Sequence, residues 1–194
     1  MTEYAAIVLA GGMSRRFGDE KAIAKWNDKL FISYSLEAVN HVEQTIIVTR
    51  DDLLSKVPQL ANVQLITDAE AYKGKGPLAG IYSGMTRAEA EWYVVLPCDT
   101  PWINKTIMKQ LQAYCDGQFE AIVSKVNGCM QPLIGIYHRR LKEKIKEKLE
   151  KNELRMKQLL SECIVKEVHF SEEKLFANIN TKEEYENLLR MDHQ

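Results

Sequence analysis

Short apolar segments rich in β-branched residues alternate along the chain with longer segments of helical periodicity. The apolar segments predict strands at residues 4–10, 44–50, 63–67, 92–98, 120–126, 132–138 and 164–170. The spacing of apolar residues between them predicts helices at residues 31–42, 77–91, 104–115, 139–150, 154–162 and 181–191. Several strands are apolar on both faces, which is typical of a parallel sheet that helices cover on each side.

One pair of predicted strands departs from the parallel order. Residues 120–126 and 132–138 are separated by "NGCMQ", in which Asn127-Gly128 is a hairpin signal, so these two strands are expected to pair antiparallel. The pattern therefore predicts an α/β fold of three layers, with a mostly parallel but mixed sheet between two layers of helices.

Length and composition narrow the class of protein. The 194 residues suit a single domain spanning 1–194, and 45% apolar with 27% charged residues is ordinary for a soluble globular protein. The longest apolar run, "YAAIVLAGG", is too short to cross a bilayer and lacks the leader of a signal peptide, which predicts a cytoplasmic location. A net charge of −1 gives no general attraction to nucleic acid or to membranes. The four cysteines have no paired spacing, so neither a zinc site nor a disulfide framework is expected.

Polar or glycine-rich segments follow the first, third and fourth predicted strands: "GGMSRRFGDEK", "DAEAYKGKGPLAG" and "PCDTP". In open parallel sheets, ligands bind at the carboxyl ends of the strands. These segments are therefore expected to meet in one site.

The first of these segments is expected to hold phosphates. Gly11 and Gly12 allow positive φ and close approach of backbone N–H groups to an anion, while Arg16 and Lys21 can supply positive charge. The segment is neither the Walker pattern nor the dinucleotide-binding fingerprint. The alternative is a mobile turn whose basic residues are merely solvated.

The second segment contains Asp68, Pro77 and Gly80. Pro77 suits the first turn of a helix, and Gly80 inside that helix suggests close packing by either a ligand or a neighbouring element. Asp68 is either a turn former or an acceptor for donors on a base.

The third segment places Asp99 between Pro97 and Pro101, directly after a buried strand. A divalent cation such as Mg²⁺ needs only one or two carboxylates besides phosphate oxygens and water. The alternative is that Asp99 caps the helix from 104, for which Thr100 or Asn104 is equally able. Near the carboxyl end, Thr181 and Glu184 form a capping-box pattern, and Asn180 before them can add a neutral oxygen ligand to the metal.

These motifs, with "QPLIGIY" and "FANINTKEEY" after them in this order, resemble the molybdenum cofactor guanylyltransferase family, also called molybdopterin-guanine dinucleotide biosynthesis protein A. The resemblance covers essentially the whole chain and implies a Rossmann-like nucleotidyltransferase fold. It implies transfer of GMP from GTP to the phosphate of molybdopterin, release of pyrophosphate, and Mg²⁺ as cofactor. Two alternatives stay open: a related nucleotidyltransferase, such as a cytidylyltransferase, acting on another phosphorylated acceptor, and a non-catalytic GTP-binding adaptor that delivers cofactor.

The resemblance also implies site residues. Leu9, Ala10 and Gly11 would line the nucleotide, Lys21 would contact its phosphates, Asp68 would belong to the GTP site, and Asp99 would bind both GTP and metal. We expect Arg16, Lys21 and Asp99 to be catalytic, and Asp99 and Asn180 to hold the metal. Residues expected to complete nucleotide binding are Gly12, Gly76, Pro77 and Leu78.

This chain departs from the family pattern in four places. It has "NDKLF" where the family has a glycine ahead of a "KPL"-like segment. It has Phe17 where the family commonly has Met, and "IIVTRDD" shows no clear match to an asparagine that often contacts nucleotide. Only Arg155 fills a frequent arginine pair near "ELRMK", and it is the candidate for the acceptor. The family's implied partners, besides GTP and molybdopterin, are other cofactor-biosynthesis proteins and molybdoenzymes.

Overall fold

The computed structural model describes residues 2–12, 17, 21–58 and 60–191. Its strands are β1 Thr2–Leu9, β2 Lys25–Trp26, β3 Lys29–Leu30, β4 Gln44–Thr49, β5 Val63–Thr67, β6 Ala90–Pro97, β7 Ala121–Val126, β8 Cys129–His138 and β9 Val165–Phe170. Its helices are α1 Phe31–Ala38, α2 Pro77–Arg87, α3 Lys105–Gln112, α4 Leu141–Glu150, α5 Met156–Leu160 and α6 Lys182–Met191. Among the residues described, no helix is both long enough and apolar enough to span a bilayer.

The main sheet has seven strands in the order β5-β4-β1-β6-β8-β7-β9. Strand β8 is antiparallel to both of its neighbours, and the other adjacent pairs are parallel. The prediction of a mostly parallel, mixed sheet is confirmed. The antiparallel pairing also arises where it was expected, because Asn127 and Gly128 have the positive φ angles of a tight hairpin turn between β7 and β8.

Apolar side chains fill both faces of the sheet. Successive residues of a strand point to opposite faces, so Ala5 and Ile7 of β1 join a core with α2, α4 and α5, while Ala6 and Val8 join a second core with α1 and α3. This arrangement gives the three layers that the alternating pattern predicts.

Four helices end earlier than the periodicity predicts, and the differences are largest for α1 and α2. Helix α1 ends at Ala38, not at 42, because the chain turns at Val39 and Asn40. Helix α2 ends at Arg87, not at 91. Although "AEAE" contains good helix formers, Ala90 already pairs with Thr2 in the sheet, so strand pairing overrides the local preference.

Two features of the strands were not predicted. A small hairpin joins β2 and β3 through Asn27 and Asp28, both with positive φ. Strand β8 begins at Cys129, three residues before the predicted start, and its register with β7 shifts beside Pro132. Proline lacks the N–H that a regular ladder needs, so an irregularity is where a strand tolerates it.

Helix α2 packs closely on β1 through two glycines one turn apart. A Cβ atom on Gly84 would lie 2.6 Å from Ile7 Cδ1, 2.7 Å from its Cγ1 and 3.0 Å from its Cγ2. A Cβ atom on Gly80 would lie 2.6 Å from Leu9 Cδ2, the end of a longer side chain. Gly80 was expected to be packed closely by either a ligand or a neighbouring element. Its close approach to Leu9 supports packing by a neighbouring element, strand β1.

We predict that Gly84→Ala lowers the free energy of unfolding by about 1 kcal/mol. Overpacking against the buried Ile7 costs about 1 to 3 kcal/mol, and the better helix propensity of alanine returns up to about 1 kcal/mol. Gly80→Ala should cost less, because the end of Leu9 can turn toward the cleft described below. Urea unfolding of both variants measures the difference. The packing account is contradicted when Gly84→Ala is at least as stable as Gly80→Ala.

Candidate active site

A cleft of about 790 Å³ lies at the carboxyl ends of the four adjacent parallel strands β5, β4, β1 and β6. The three polar segments meet there, as the strand order requires. Of the expected site residues, those that line the cleft are Leu9, Ala10, Gly11, Gly12, Lys21, Asp68, Gly76, Pro77 and Asp99.

A charged cluster lies at the β6 end of the cleft. Lys21 Nζ donates to Asp99 Oδ2 at 3.1 Å and to Asn180 Oδ1 at 2.8 Å. The side chain of Lys21 is 12% exposed and that of Asp99 is 20% exposed, so the ion pair is mostly shielded from water. Residues expected to hold phosphate and metal therefore meet at one point, although the chain separates Lys21 from Asn180 by 159 positions.

The backbone holds Asn180 beside Asp99. Ile179 N donates to Asp99 O at 3.0 Å, which joins the "NINT" segment to the end of β6. The Glu184 carboxylate accepts from Asn180 N at 2.6 Å and from Thr181 N at 2.9 Å, and Glu184 N donates to Thr181 Oγ1 at 3.1 Å. The predicted capping box is present, and it fixes the backbone of Asn180 as well as the start of α6.

The alternative role of Asp99 as a helix cap is not what the structure shows. Asn104 caps α3, because its Oδ1 accepts from Thr106 N at 3.0 Å and from Ile107 N at 3.2 Å. Asp99 Oδ1 is buried and has no hydrogen-bond partner among the described residues. An acceptor left in this state costs free energy, and a cation held by the carboxylate would relieve that cost.

The glycines of the opening loop differ from the expectation in one respect: neither Gly11 nor Gly12 has a positive φ. A Cβ atom on Gly12 would meet nothing within 4 Å, so the glycine keeps the cleft face of the backbone uncovered. Two residues at the end of β4 hold the backbone of this loop. Thr49 Oγ1 donates to Ala10 O at 3.3 Å, and Arg50 Nη1 donates to Gly12 O at 3.2 Å.

Asp68 lies at the β5 end of the cleft and is partly buried. Its Oδ2 accepts from Gly74 N at 3.2 Å, so the carboxylate also closes the turn that leads to α2. Burial raises the pKa of the Asp68 carboxyl, and the Gly74 N–H and the charge of Lys73 oppose that rise. Both readings of this residue, turn former and cleft acceptor, therefore fit its position.

The position of the Leu78 side chain differs from those of Gly76 and Pro77. This side chain is fully buried in the core and does not line the cleft, because it occupies the sheet-facing side of α2. Pro77 and Gly76 are exposed at the cleft, with Pro77 at the first position of α2. Leu78 could contact a nucleotide only through its backbone in the first turn, where N–H groups have no partner within the helix.

Several cleft residues were missed from sequence. Thr49 ends β4, and Arg50 and Asp51 follow it. The end of β4 lies between those of β5 and β1, so strand order is the signal that identifies these residues. Arg50 also forms a two-pronged contact with Asp52, with Nε to Oδ1 at 3.0 Å and Nη2 to Oδ2 at 2.8 Å. The irregular part of β8 adds Gln131, Pro132, Leu133 and Ile134 to the cleft lining.

Two further basic residues were expected at the site, Arg16 and Arg155. Arg16 lies outside the described residues. Arg155 is exposed at the start of α5 and does not line the cleft, so its contact with the acceptor stays a prediction.

Asp99 and Asn180 suit a hard divalent cation. Their oxygens already converge on one positive charge, and Asp99 retains an unused acceptor. In the part of the chain that the structure describes, no group of three or more His, Cys, Asp and Glu side chains converges on a point. Mg²⁺ fits such a small ligand set, because it keeps water and takes phosphate oxygens from a substrate.

Comparison with known proteins identifies close relatives. The family described as "MobA-like NTP transferase domain" matches residues 6–167. A protein of Bacillus cytotoxicus named "Probable molybdenum cofactor guanylyltransferase" is 46% identical over 194 residues, covering 97% of this chain and 98% of that protein. A Bacillus cereus protein of the same name is 42% identical over 190 residues, covering 95% of each chain.

Solved structures share the architecture. Molybdopterin-guanine dinucleotide biosynthesis protein A from Archaeoglobus fulgidus has a TM-score of 0.80 at 22% identity, covering 97% of this chain and 98% of that one. A 4-diphosphocytidyl-2C-methyl-D-erythritol synthase from Anaerococcus prevotii has a TM-score of 0.75 at 12% identity, covering 100% of this chain and 99% of that one. At such low identity these structures show a common fold and no more.

Proposed function

The chain belongs to the molybdenum cofactor guanylyltransferase family, and from that premise we propose that it transfers the GMP group of GTP to the phosphate of molybdopterin. The acceptor phosphate forms a bond to the α-phosphorus of GTP. The bond between the α-phosphorus and the oxygen that bridges it to the β-phosphate breaks, and pyrophosphate leaves.

The observation that supports this proposal most is the spacing of charges along the cleft. The cluster of Lys21, Asp99 and Asn180 lies at the carboxyl end of β6. Asp68 lies at the carboxyl end of β5, which is three strand spacings away. Neighbouring strands are about 4.8 Å apart, so the two ends of the site are about 14 Å apart. A nucleoside triphosphate laid across the strand ends can place its phosphates at Lys21 and its base or ribose at Asp68.

The chemistry needs charge neutralisation more than activation of a nucleophile. A phosphate monoester has a second pKa near 6 and is mostly dianionic at pH 7, so it attacks without a base. The barrier comes from bringing two anions together and from the charge that develops on pyrophosphate. Mg²⁺, when bound by Asp99 and Asn180, supplies charge neutralisation on the phosphates. The Lys21 ammonium and, by our proposal, Arg16 add further positive charge to the phosphates.

A covalent route through a cysteine is disfavoured. Cys98 is the one thiol among the described residues that line the cleft, and burial raises its pKa to about 12. A thiol in that state stays protonated at neutral pH and is a poor nucleophile. The site therefore supports direct transfer between the two substrates.

Backbone groups complete the proposed phosphate and nucleotide contacts. Gly11 and Gly12 offer an uncovered main chain beside Lys21, and Leu9 and Ala10 form the adjoining wall. Gly76 and Leu78 present further N–H groups near Asp68 at the first turn of α2, and Pro77, which has no N–H, adds its ring to the cleft wall. We assign all of these residues to GTP.

We predict that Asp68→Asn raises the KM for GTP by about tenfold while leaving the KM for molybdopterin unchanged. Guanine has two adjacent donors that one carboxylate can accept together, and a charged acceptor is worth about 1.5 to 3 kcal/mol. Asparagine keeps an oxygen for Gly74 N, so the turn survives in this variant. Steady-state kinetics with each substrate varied measures the effect.

The pH dependence provides the control for this prediction. Because the pKa of the Asp68 carboxyl is raised, acidification protonates it at a higher pH than an ordinary aspartate. The KM for GTP should therefore rise on acidification in the wild type and stay flatter in Asp68→Asn. Unchanged GTP kinetics in the variant would remove Asp68 from the nucleotide site. Inosine triphosphate lacks the amino group of the base but keeps the ribose. If Asp68→Asn raises the KM for inosine triphosphate as much as it raises the KM for GTP, the contact of Asp68 is with the ribose and not with the base amino group.

A nucleotide panel tests the proposed donor. The protein is incubated with molybdopterin, Mg²⁺ and each of the four nucleoside triphosphates in turn, and pyrophosphate is measured. Release that is highest with GTP supports guanylyl transfer. Release that is highest with CTP indicates a cytidylyltransferase, and tight GTP binding without release indicates an adaptor. The proposal also implies a cytoplasmic location and transfer of the product to molybdoenzymes.

A further inference from the structure

The Lys21 ammonium occupies two of the three oxygens that Asp99 and Asn180 offer a divalent cation, and among the described residues only Asp99 Oδ1 of the three has no partner. Its Nζ is 3.1 Å from Asp99 Oδ2 and 2.8 Å from Asn180 Oδ1, and the lysine side chain is 12% exposed. Lysine therefore acts as the cation of this small site when no nucleotide is present.

The ammonium and a metal ion cannot share these ligands. Mg²⁺ binds oxygen at about 2.1 Å, so an ion on Asn180 Oδ1 would lie within about 5 Å of Lys21 Nζ. Repulsion between a divalent and a monovalent cation at that distance is strong in a partly desolvated cleft, and both would compete for the lone pairs of Asp99 Oδ2 and Asn180 Oδ1. One of them must leave.

Lysine is the group that can leave, provided that an anion receives it. Its charge is at the end of a flexible four-carbon chain, and Lys21 lines the cleft in which the triphosphate is placed above. Asp99 offers the ammonium one formal negative charge, whereas a triphosphate offers several. Phosphate oxygens can therefore draw Lys21 away from Asp99 and free the metal ligands in the same step.

We propose that Lys21 excludes divalent cations from Asp99 and Asn180 until a nucleoside triphosphate binds, so that metal and nucleotide enter the site together. This inference rests on the proposed function, because it takes Asp99 and Asn180 as the metal ligands. It adds a second role for Lys21, as the group that keeps the free enzyme from binding metal alone.

The test measures metal binding without nucleotide and without turnover. Free Mn²⁺ is followed by electron paramagnetic resonance during titration of wild type, Lys21→Met, Lys21→Gln and the control Lys25→Met. Mn²⁺ prefers the same oxygen ligands and octahedral geometry as Mg²⁺. Lys25 has an exposed side chain four positions along the chain, so its replacement matches the loss of charge without touching the site.

Both Lys21 variants are expected to bind Mn²⁺ at least about tenfold more tightly than wild type and Lys25→Met. Adding Asp99→Asn to either Lys21 variant should abolish the gain, which places the ion at this site. Equal Mn²⁺ affinity in all four proteins overturns the inference. Loss of the folded state in both Lys21 variants also counts against it, because the inference gives Lys21 a binding role and not a folding role.

Failure of this inference is distinguishable from failure of the proposed function. Pyrophosphate release by the wild type with GTP, Mg²⁺ and molybdopterin does not depend on which cation occupies Asp99 beforehand. A wild-type enzyme that turns over, with Lys21 variants that gain no Mn²⁺ affinity, rejects only the exclusion by Lys21.

Discussion

Asp99→Ala is expected to lower kcat/KM for GTP by about 10³-fold or more while the protein stays folded. The carboxylate holds Lys21 at 3.1 Å and is the one acidic ligand that we assign to the metal, so its removal disturbs both positive charges at the phosphates. The fold should tolerate the change because Asn104, not Asp99, caps α3, and because Asp99 Oδ1 has no partner among the described residues.

The Asp99 experiment needs a shape-matched variant and a distant control. Asp99→Asn keeps the volume and loses the charge, so a similar loss in both variants attributes the effect to the charge. Asp116→Asn removes a charge from an exposed turn and should retain wild-type kinetics. Kinetics at several Mg²⁺ concentrations, with thermal unfolding as a check on the fold, give the comparison. Near-normal turnover of Asp99→Ala with Mg²⁺ would reject the metal assignment.

Lys21→Met is expected to lower kcat for GMP transfer by about 10² to 10³-fold and also to raise the KM for GTP. Methionine keeps much of the apolar stem, so the change isolates the ammonium. Removal of a group that binds the ground state and the transition state equally would raise KM and leave kcat unchanged. A fall in kcat therefore distinguishes a charge used in the transition state from one used only in binding.

Lys25→Met serves as the matched control here too, since it removes the same charge from an exposed side chain. It should leave both kinetic constants within about twofold of wild type, as expected for a surface charge. A Lys21→Met enzyme with unchanged kcat would restrict Lys21 to binding. Measurements at saturating GTP, where KM no longer matters, make the outcome unambiguous.

The sequence predicted the parts of the fold that depend on local pattern. Strands β1 and β6 each contain a continuous apolar run, within residues 4–10 and 92–98, and the turn at Asn127-Gly128 has positive φ, so their roles followed from residue type alone. The convergence of three loops followed from the rule that parallel strands present their carboxyl ends at one edge. Asp99 was identified for the same reason.

Contacts between distant segments could not be predicted in this way. The bond from Lys21 to Asn180 crosses most of the chain, and no periodicity encodes it. The end of α2 depends on the pairing of Ala90 with Thr2, and the exclusion of the Leu78 side chain from the cleft depends on which face of α2 packs on the sheet. Arg50 was missed because its position at the cleft depends on β4 lying between β5 and β1.

The most direct measurement of the central claim follows the α-phosphate. GTP labelled at the α-phosphorus is incubated with the protein, Mg²⁺ and molybdopterin, and the products are separated. The account predicts that the label moves to a dinucleotide containing the pterin, with one pyrophosphate released for each label transferred. Label that remains on GTP, or that appears on GDP or GMP with no pterin product, would contradict guanylyl transfer by this protein.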